Sequence, residues 1–366
     1  MRPGVIFGGP SPEHDISVLT GLQATRALID RGHDVVGLYW STRGDWFLVD
    51  PEAEAGDFVN GPPRGADAAR LEVGTGAGFV TEGRLGRRTA VAVDAVVVAC
   101  HGAPGEDGTL QGLLDLADVR YTGPSTAGAA LAMDKLAFRA VVESAGLPAL
   151  PCMPLVDGLE LPFQAPYIVK PRFGGSSIGI EVVENVDTAR ALLASSPHLR
   201  DGAVVEPYRV DATDLNICVR THPKVELSPI ERPLRGDDGR IYTYAEKYLH
   251  GGEGMASAPR ELPADLPEAV TGTIVDAATR IVDIALVRSV ARIDFLHTES
   301  GVFVNEINPI PGALGWYFWA QQGIPFGELL ESMLDEAVRG PHRTFDATGA
   351  DGTALRSAGS IAGKLG

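Results

Sequence analysis

Basic side chains are scarce in this 366-residue chain: 31 Lys and Arg face 48 Asp and Glu, a formal charge of −17. That balance excludes an extended nucleic-acid footprint or an anionic membrane as partner, because either would need a basic patch. Any phosphate ligand must be met locally, by a few cations or a divalent metal. Cysteine is scarce too. Cys100, Cys152 and Cys218 are odd in number, widely separated and without C-x-x-C spacing, so they predict reduced thiols in a cytoplasmic protein. No apolar run of about 18 residues occurs, and the chain enters a strand-like segment directly, which predicts neither a membrane span nor a signal peptide. The phosphate-loop pattern G-x-x-x-x-G-K-[ST] is missing throughout, and the first Gly-rich loop is not G-x-G-x-x-G, so a nucleotide site must have another architecture.

What is present is ordinary globular material, 45% hydrophobic and 22% charged residues over a length that predicts two or three domains. Val5 to Phe7 reads as a strand, Gly8 to Asp15 as a Gly-rich loop, and Ile16 to Asp30 as a helix whose N-terminus suits a carboxylate or phosphate. After a strand at Val35 to Trp40, residues 41–90 read as an irregular or insertion-bearing part of the first domain, with weak strand signals at Trp46 to Val49 and Ala90 to Val93. Ala95 to Cys100 is a buried strand running into HGAPGEDGTLQG, which puts His101 and Glu106 where open α/β sheets bind ligands. A Gly-rich turn capped by Asp107 or Thr109 explains that stretch equally well.

Ala127 to Ala145 predicts one long helix carrying Asp134 and Lys135, and the proline-dense stretch from Pro148 to Pro166 a crossing between domains. The strand Tyr167 to Pro171 ends in Lys170 and is followed by a Gly- and Ser-rich tip, Arg172 to Gly179, able to fold backbone N–H groups over phosphate oxygens. Glu206 ends the strand Ala203 to Pro207. Leu249 to Pro259 is polar and long enough for a lid, and the chain from about Asp346 reads as a mobile tail.

The chemistry concentrates in ARIDFLHTESGVFVNEINPIPG, residues 291–312. Apolar residues flank Glu299-Ser300-Gly301, which predicts a three-residue hairpin loop closed by Thr298 and Val302. In that register Asp294 lies opposite Glu306 and Arg292 opposite Asn308, all on one face. Opposed carboxylates repel unless a cation lies between them, and oxygen ligands from Asp, Glu and Asn suit Mg²⁺. An exposed acidic face with Arg292 neutralising Asp294 is the plainer explanation. Lys135, Lys170, the flap, Glu206, Lys247 and this metal face together make a kit for binding a nucleoside triphosphate and transferring its terminal phosphoryl group.

The segments FGGPSPEHDIS, HGAPGEDGTLQG, YTGPSTAGAALAMDK, KPRFGGSSIGI, YAEKY, ARIDF and NEINPIPG, in this order from about Val5 to Leu330, resemble the motifs of D-alanine–D-alanine ligases of the ATP-grasp superfamily. The resemblance implies an α/β fold, α+β in parts, with ATP between the central and C-terminal of three domains, here 1–125, 126–207 and 208–345, before a tail at 346–366. It implies ATP as co-substrate, two Mg²⁺ ions for which Mn²⁺ can substitute, ligation of two amino acids through an acyl phosphate, and a homodimer. Residue by residue it implies ATP contacts from Lys135, Lys170, Ser177, Glu206, Asp214 and Lys247, and metal ligands Asp294, Glu306 and Asn308. Arg292 and the Gly312 N–H would stabilise the oxyanion. Glu13, Ser176 and Tyr248 would form a triad around the amino acids, with His101 and Glu106 on the substrate side.

Three stretches depart from the family pattern. Gly312 is followed by Ala313-Leu314-Gly315-Trp316-Tyr317-Phe318-Trp319, shortened and strongly aromatic, where the family continues to a Ser that binds the second amino acid's carboxylate. The family's Gly-x-Glu becomes Ala212-Thr213-Asp214 with one inserted residue, and the lid is unusually Gly-rich. The leading expectation is the strict dipeptide reaction. The alternative is a relative that uses a non-standard acceptor, or closes a ring, in specialised metabolism.

Overall fold

The computed structural model describes residues 1–74, 78–83, 86–158, 160–234, 259–359 and 361. Lys247, Tyr248 and all of the expected lid except Pro259 lie outside them.

β1 (Pro3–Gly8), α1 (His14–Asp30), β2 (Val36–Trp40), β3 (Trp46–Val49), β4 (Asp67–Glu72), β5 (Gly78–Glu82), β6 (Arg88–Ala90) and β7 (Ala95–Val98) build the first layer. They form a seven-stranded sheet ordered β6-β5-β4-β3-β2-β1-β7, with β1 parallel to β2 and β7 and every other pair antiparallel. β1 and β7 are continuous apolar runs because both faces are covered: Val5, Ile6 and Val96 to Val98 are essentially inaccessible. Among the described residues of 41–90, the strand signal at Trp46 to Val49 is β3, and the rest, expected to be irregular, adds the antiparallel strands β4, β5 and β6. β4 buries only Ala69 and β6 nothing, so these strands carry too few apolar residues to announce themselves.

The next helices are α2 (Thr109–Leu116), α3 (Thr126–Met133) and α4 (Lys135–Ser144). The single helix expected over Ala127 to Ala145 is broken at Asp134, whose backbone is extended and whose carboxylate accepts from the N–H groups of Leu136 and Ala137. An Asp that can cap competes with helix continuation, and here the cap wins because Arg172 also pairs with it.

β8 (Met153–Pro154), β9 (Tyr167–Pro171), β10 (Glu181–Val183), α5 (Val186–Ser195) and β11 (Ala203–Pro207) make a small four-stranded sheet ordered β10-β9-β11-β8 with its own core. β12 (Thr213–Arg220), β13 (Glu226–Leu227), β14 (Arg232–Pro233), β15 (Arg260–Glu261), α6 (Glu268–Ile284), β16 (Val290–Thr298) and β17 (Gly301–Asn308) follow. Here β13-β12-β16-β17 is a second four-stranded sheet, and β14-β15 a separate ladder. α7 (Trp316–Ala320), α8 (Phe326–Arg339) and α9 (Thr353–Ala358) complete the described chain. α9 is regular where only a mobile tail was expected, although it buries nothing. Leu329, Leu330, Met333 and Leu334 of α8 pack into the same core as β1, β2 and β7, so C-terminal residues close the N-terminal layer. No described helix is long and apolar enough to cross a membrane.

Candidate active site

The β16–β17 hairpin reaches the expected pairing by an unexpected route. Thr298 pairs with Gly301 across a two-residue turn, not a three-residue loop, and a register shift lies between Asp294 and Phe295. Asn305 is the extra residue on β17, a bulge that restores Asp294 opposite Glu306 and Arg292 opposite Asn308. All four line one cleft. The carboxylates are neutralised by the chain's own cations. Arg292 grips Asp294 in bidentate fashion, Nε to Oδ1 at 2.6 Å and Nη2 to Oδ2 at 2.7 Å, and Asn308 Nδ2 donates to the same Oδ2 at 3.0 Å. Lys135 Nζ lies 3.5 Å from Glu306 Oε2 and donates to Gly174 O at 2.6 Å. Burial opposes the Arg292 charge, but the adjacent Asp294 more than compensates and holds the guanidinium pKa well above its ordinary value.

No cluster of three His, Cys, Asp or Glu side chains arranged for a metal occurs among the described residues. The donor set of two carboxylates and one amide nevertheless fits a hard divalent cation that takes its remaining oxygens from water and phosphate.

Deeper in the cleft, Lys170 Nζ is 2.8 Å from Glu206 Oε2 and 3.3 Å from Asn305 Oδ1. Arg139, which the sequence did not single out, lies 3.6 Å from Glu206 Oε1 and donates to the carbonyls of Val304 and Asn305 at the bulge. Lys170 and Glu206 are both buried. Burial alone would lower the Lys170 pKa and raise that of Glu206, yet their mutual attraction shifts each the other way, keeping both charged. Glu206 was expected as an ATP contact; in the structure it anchors Lys170. Ser177 and Asp214 line the same cleft.

At the N-terminal side, Glu13 occupies the N-cap position of α1 without a side-chain capping bond, and its carboxylate accepts a short hydrogen bond from Ser176 Oγ. Ser176 and Ser177 both have positive φ, 51° and 58°, so the flap tip turns sharply over the cleft. Gly102 permits this crowding: a Cβ there, at φ +68°, would lie 2.8 Å from Ser11 Oγ and 2.9 Å from Glu13 Oε1. His101 and Glu106 line the cleft but spend their polar atoms on structure. Glu106 accepts from Gly102 N at 2.9 Å and Ile310 N at 3.2 Å, while His101 Nδ1 meets Ile310 O at 3.0 Å and Nε2 meets Thr20 Oγ1 at 2.9 Å. Both polar groups of the Ile310 backbone are thus clasped from the first sheet. Burial, reinforced by the Glu13 charge, raises the Glu106 pKa to about 8, and burial lowers that of His101 to about 4.

Past Gly312, which lines the cleft, Ala313, Leu314 and Gly315 take three consecutive left-handed conformations, φ 49°, 51° and 63°. Only Gly adopts this region without strain; for Ala and Leu it costs roughly 1–2 kcal/mol each. The turn delivers Tyr317 to the cleft wall.

Two family models match this architecture: the D-ala D-ala ligase N-terminus over residues 2–124 and the D-ala D-ala ligase C-terminus over 152–335. The chain belongs to the D-alanine–D-alanine ligase family. A D-alanine–D-alanine ligase of Rhodococcus jostii is 31% identical over 92% of this chain and 96% of its own length. One of Mycolicibacterium smegmatis is 32% identical over 92% and 95%. In fold the chain is similar to the D-alanine–D-alanine ligase of Coxiella burnetii, with a TM-score of 0.76, 23% identity, and coverage of 98% and 97%. It is equally similar to the VanG D-Ala:D-Ser ligase of Enterococcus faecalis, again with a TM-score of 0.76 and 23% identity, over 92% and 99%. As a D-alanine–D-alanine ligase family member the chain is an ATP-dependent, amide-forming ligase with the ATP-grasp fold.

Of the ATP, metal, oxyanion and substrate-side residues that the resemblance implies, the described ones all line the cleft, a convergence of segments up to some 300 positions apart. Arg139, Asn305, Glu231 and Arg260 were missed. Asn305 had a signal: Val302, Val304 and Ile307 are the buried positions of β17, so the apolar phase slips by one residue between 304 and 307.

Proposed function

We propose that the protein joins two D-alanine molecules, forming D-alanyl-D-alanine with release of ADP and phosphate. The observation that carries the reading is the confluence in one cleft of Lys135 and Lys170, the Asp294/Glu306 pair, Arg292 with Gly312, and the Glu13–Ser176 contact.

In this reading Lys135 and Lys170 position the ATP phosphates, Ser176 and Ser177 cover them, and Glu206 and Asp214 border the nucleoside. Asp294, Glu306 and Asn308 hold divalent metal, Mg²⁺ by donor chemistry, with two ions expected. When bound, the metal neutralises phosphate charge during phosphoryl transfer. A carboxylate is a poor electrophile until it is phosphorylated. The amine of the second amino acid then attacks the acyl phosphate, and the oxyanion that develops needs donors already in place. Arg292, held rigidly by Asp294, and the Gly312 N–H are such donors. Glu13 anchors the first ammonium by a charge-assisted hydrogen bond, with Ser176 and Tyr248 completing the triad, while Lys247 contacts ATP. A homodimer in the cytoplasm is the expected state, and light scattering checks its mass.

The test is incubation with ATP, Mg²⁺ and D-alanine, following phosphate release and identifying the product by mass spectrometry. D-alanine-dependent phosphate with the dipeptide as product supports the reading. Turnover only with other amino acids excludes it.

A further inference from the structure

One wall of the cleft is not used by the assignments above. Arg260 in β15 lies with its guanidinium carbon 4.1 Å from the Tyr317 ring centroid, the shortest cation–π contact among the described residues. Its Nη1 donates to Glu231 Oε1 at 2.8 Å, and Glu231 Oε2 accepts from Asn216 Nδ2 at 3.0 Å. Glu231 is 3% exposed, so the carboxylate is a buried strut that fixes the arginine. The backbone reinforces it, since Asn216 and Glu231 exchange both main-chain hydrogen bonds. Tyr317 is also buried, and both Tyr317 and Glu231 lie close enough to act on the Arg292 charge. Arg260, Tyr317, Arg292 and Gly312 therefore border one compartment, on the side of the oxyanion donors.

We infer that Arg260, stacked on Tyr317 and braced by Glu231, anchors the carboxylate of the acceptor amino acid. The inference rests on the ligase reading above. An arginine held over an aromatic ring is restrained in its rotation and keeps the planar N–H fork that recognises carboxylates. Where the family continues to a serine, this chain offers a guanidinium over a phenol ring. Tyr317 is the shelf beneath the acceptor and bounds the space for its side chain.

Competition in one vessel tests this: D-alanine and D-alaninamide at equal concentration, with ATP and Mg²⁺, and both products quantified by mass spectrometry. The amide has no carboxylate to phosphorylate and can enter only as acceptor. Wild type is expected to favour dipeptide over dipeptide amide by about 100-fold, the cost of losing one charge-assisted hydrogen-bond partner. Arg260→Met combined with Glu231→Gln removes the ion pair as a unit, and the ratio falls to about threefold or less. The ratio does not depend on how much of a variant folds. Arg260→Lys keeps the charge without the planar fork and is expected near tenfold; its ratio decides the question if the double variant makes no product. A variant ratio equal to that of wild type, or a wild type that takes both acceptors alike, overturns the anchor and leaves the ligase reading intact. No product from wild type with any amino acid removes both.

Discussion

Glu306 is worth a single-atom substitution. Glu306→Gln keeps its size and one oxygen but removes the charge that Lys135 balances and that the proposed metal site would need. Phosphate release is expected to fall by about 100-fold or more, with a melting temperature close to wild type; near wild-type turnover would sink the metal assignment. Glu106 makes a prediction about pH. Its folded pKa, raised to about 8, lies above the ordinary carboxylate value. The protonated form is therefore favoured in the fold, and that stability is complete below the unfolded pKa and lost as pH climbs through 8. Glu106→Gln removes the dependence, so its stability relative to wild type should improve from pH 5 to pH 8, by a few kcal/mol at most, as measured by denaturant unfolding. His101 runs oppositely: with a folded pKa of about 4 it contributes stability above its unfolded value that is lost as acid is added. A relative stability of Glu106→Gln that does not change with pH would show that the carboxyl is ionised throughout. Glu106 and His101 were legible in the sequence as residues at a strand end. Their partner was not, because a backbone carbonyl and amide at residue 310 carry no side-chain signature.

Among elements, the β16–β17 hairpin holds the clearest lesson. Its pairing of Asp294 with Glu306 was legible from spacing, but a two-residue turn plus a one-residue bulge gives the same sum as one three-residue loop. Only the phase of the apolar positions distinguishes them. Deleting Asn305 slips the distal ladder by one residue and turns Glu306 and Asn308 to the opposite face, so ATP hydrolysis and ligation should both vanish. Inserting one glycine between Ser300 and Gly301 in that deletion variant converts the turn to three residues and returns Glu306 to its place. Activity should then recover partly, short of wild type because Lys170 and Arg139 lose their contacts with residue 305. No recovery, with a cooperative melt preserved, would mean that the bulge itself is needed and not merely its register. The break at Asp134 was illegible for a different reason: Ala- and Leu-rich flanks favour an unbroken helix, and the capping choice depends on Arg172, 38 positions away.

At the scale of the molecule, the three hydrophobic clusters differ in extent. The one around β1, β2 and β7 draws in Phe318, Trp319 and α8, whereas the one inside the β8–β11 sheet is small and local. Small cores open first. Native-state hydrogen exchange should therefore find β9 and β11 opening at lower free energy than β1 and β7. A non-hydrolysable ATP analogue with Mg²⁺ at about 100 times its Kd should raise the β9 and β11 values by up to about 3 kcal/mol. Uniform protection across both sheets would contradict this. The layers themselves were legible where strands are buried on both faces, as in β1 and β7, and not where Ala and Thr strands edge the first sheet.

The clasp at Ile310 has a practical consequence. Because Glu106 and His101 hold the main chain of that residue and not its side chain, truncating Ile310 to alanine leaves both hydrogen bonds in place. A conventional alanine scan would pass over the joint between the two halves of the site and score position 310 as packing alone. An amide-to-ester replacement there, which trades the Ile310 N–H for an oxygen and leaves the side chain untouched, is the substitution that can feel it.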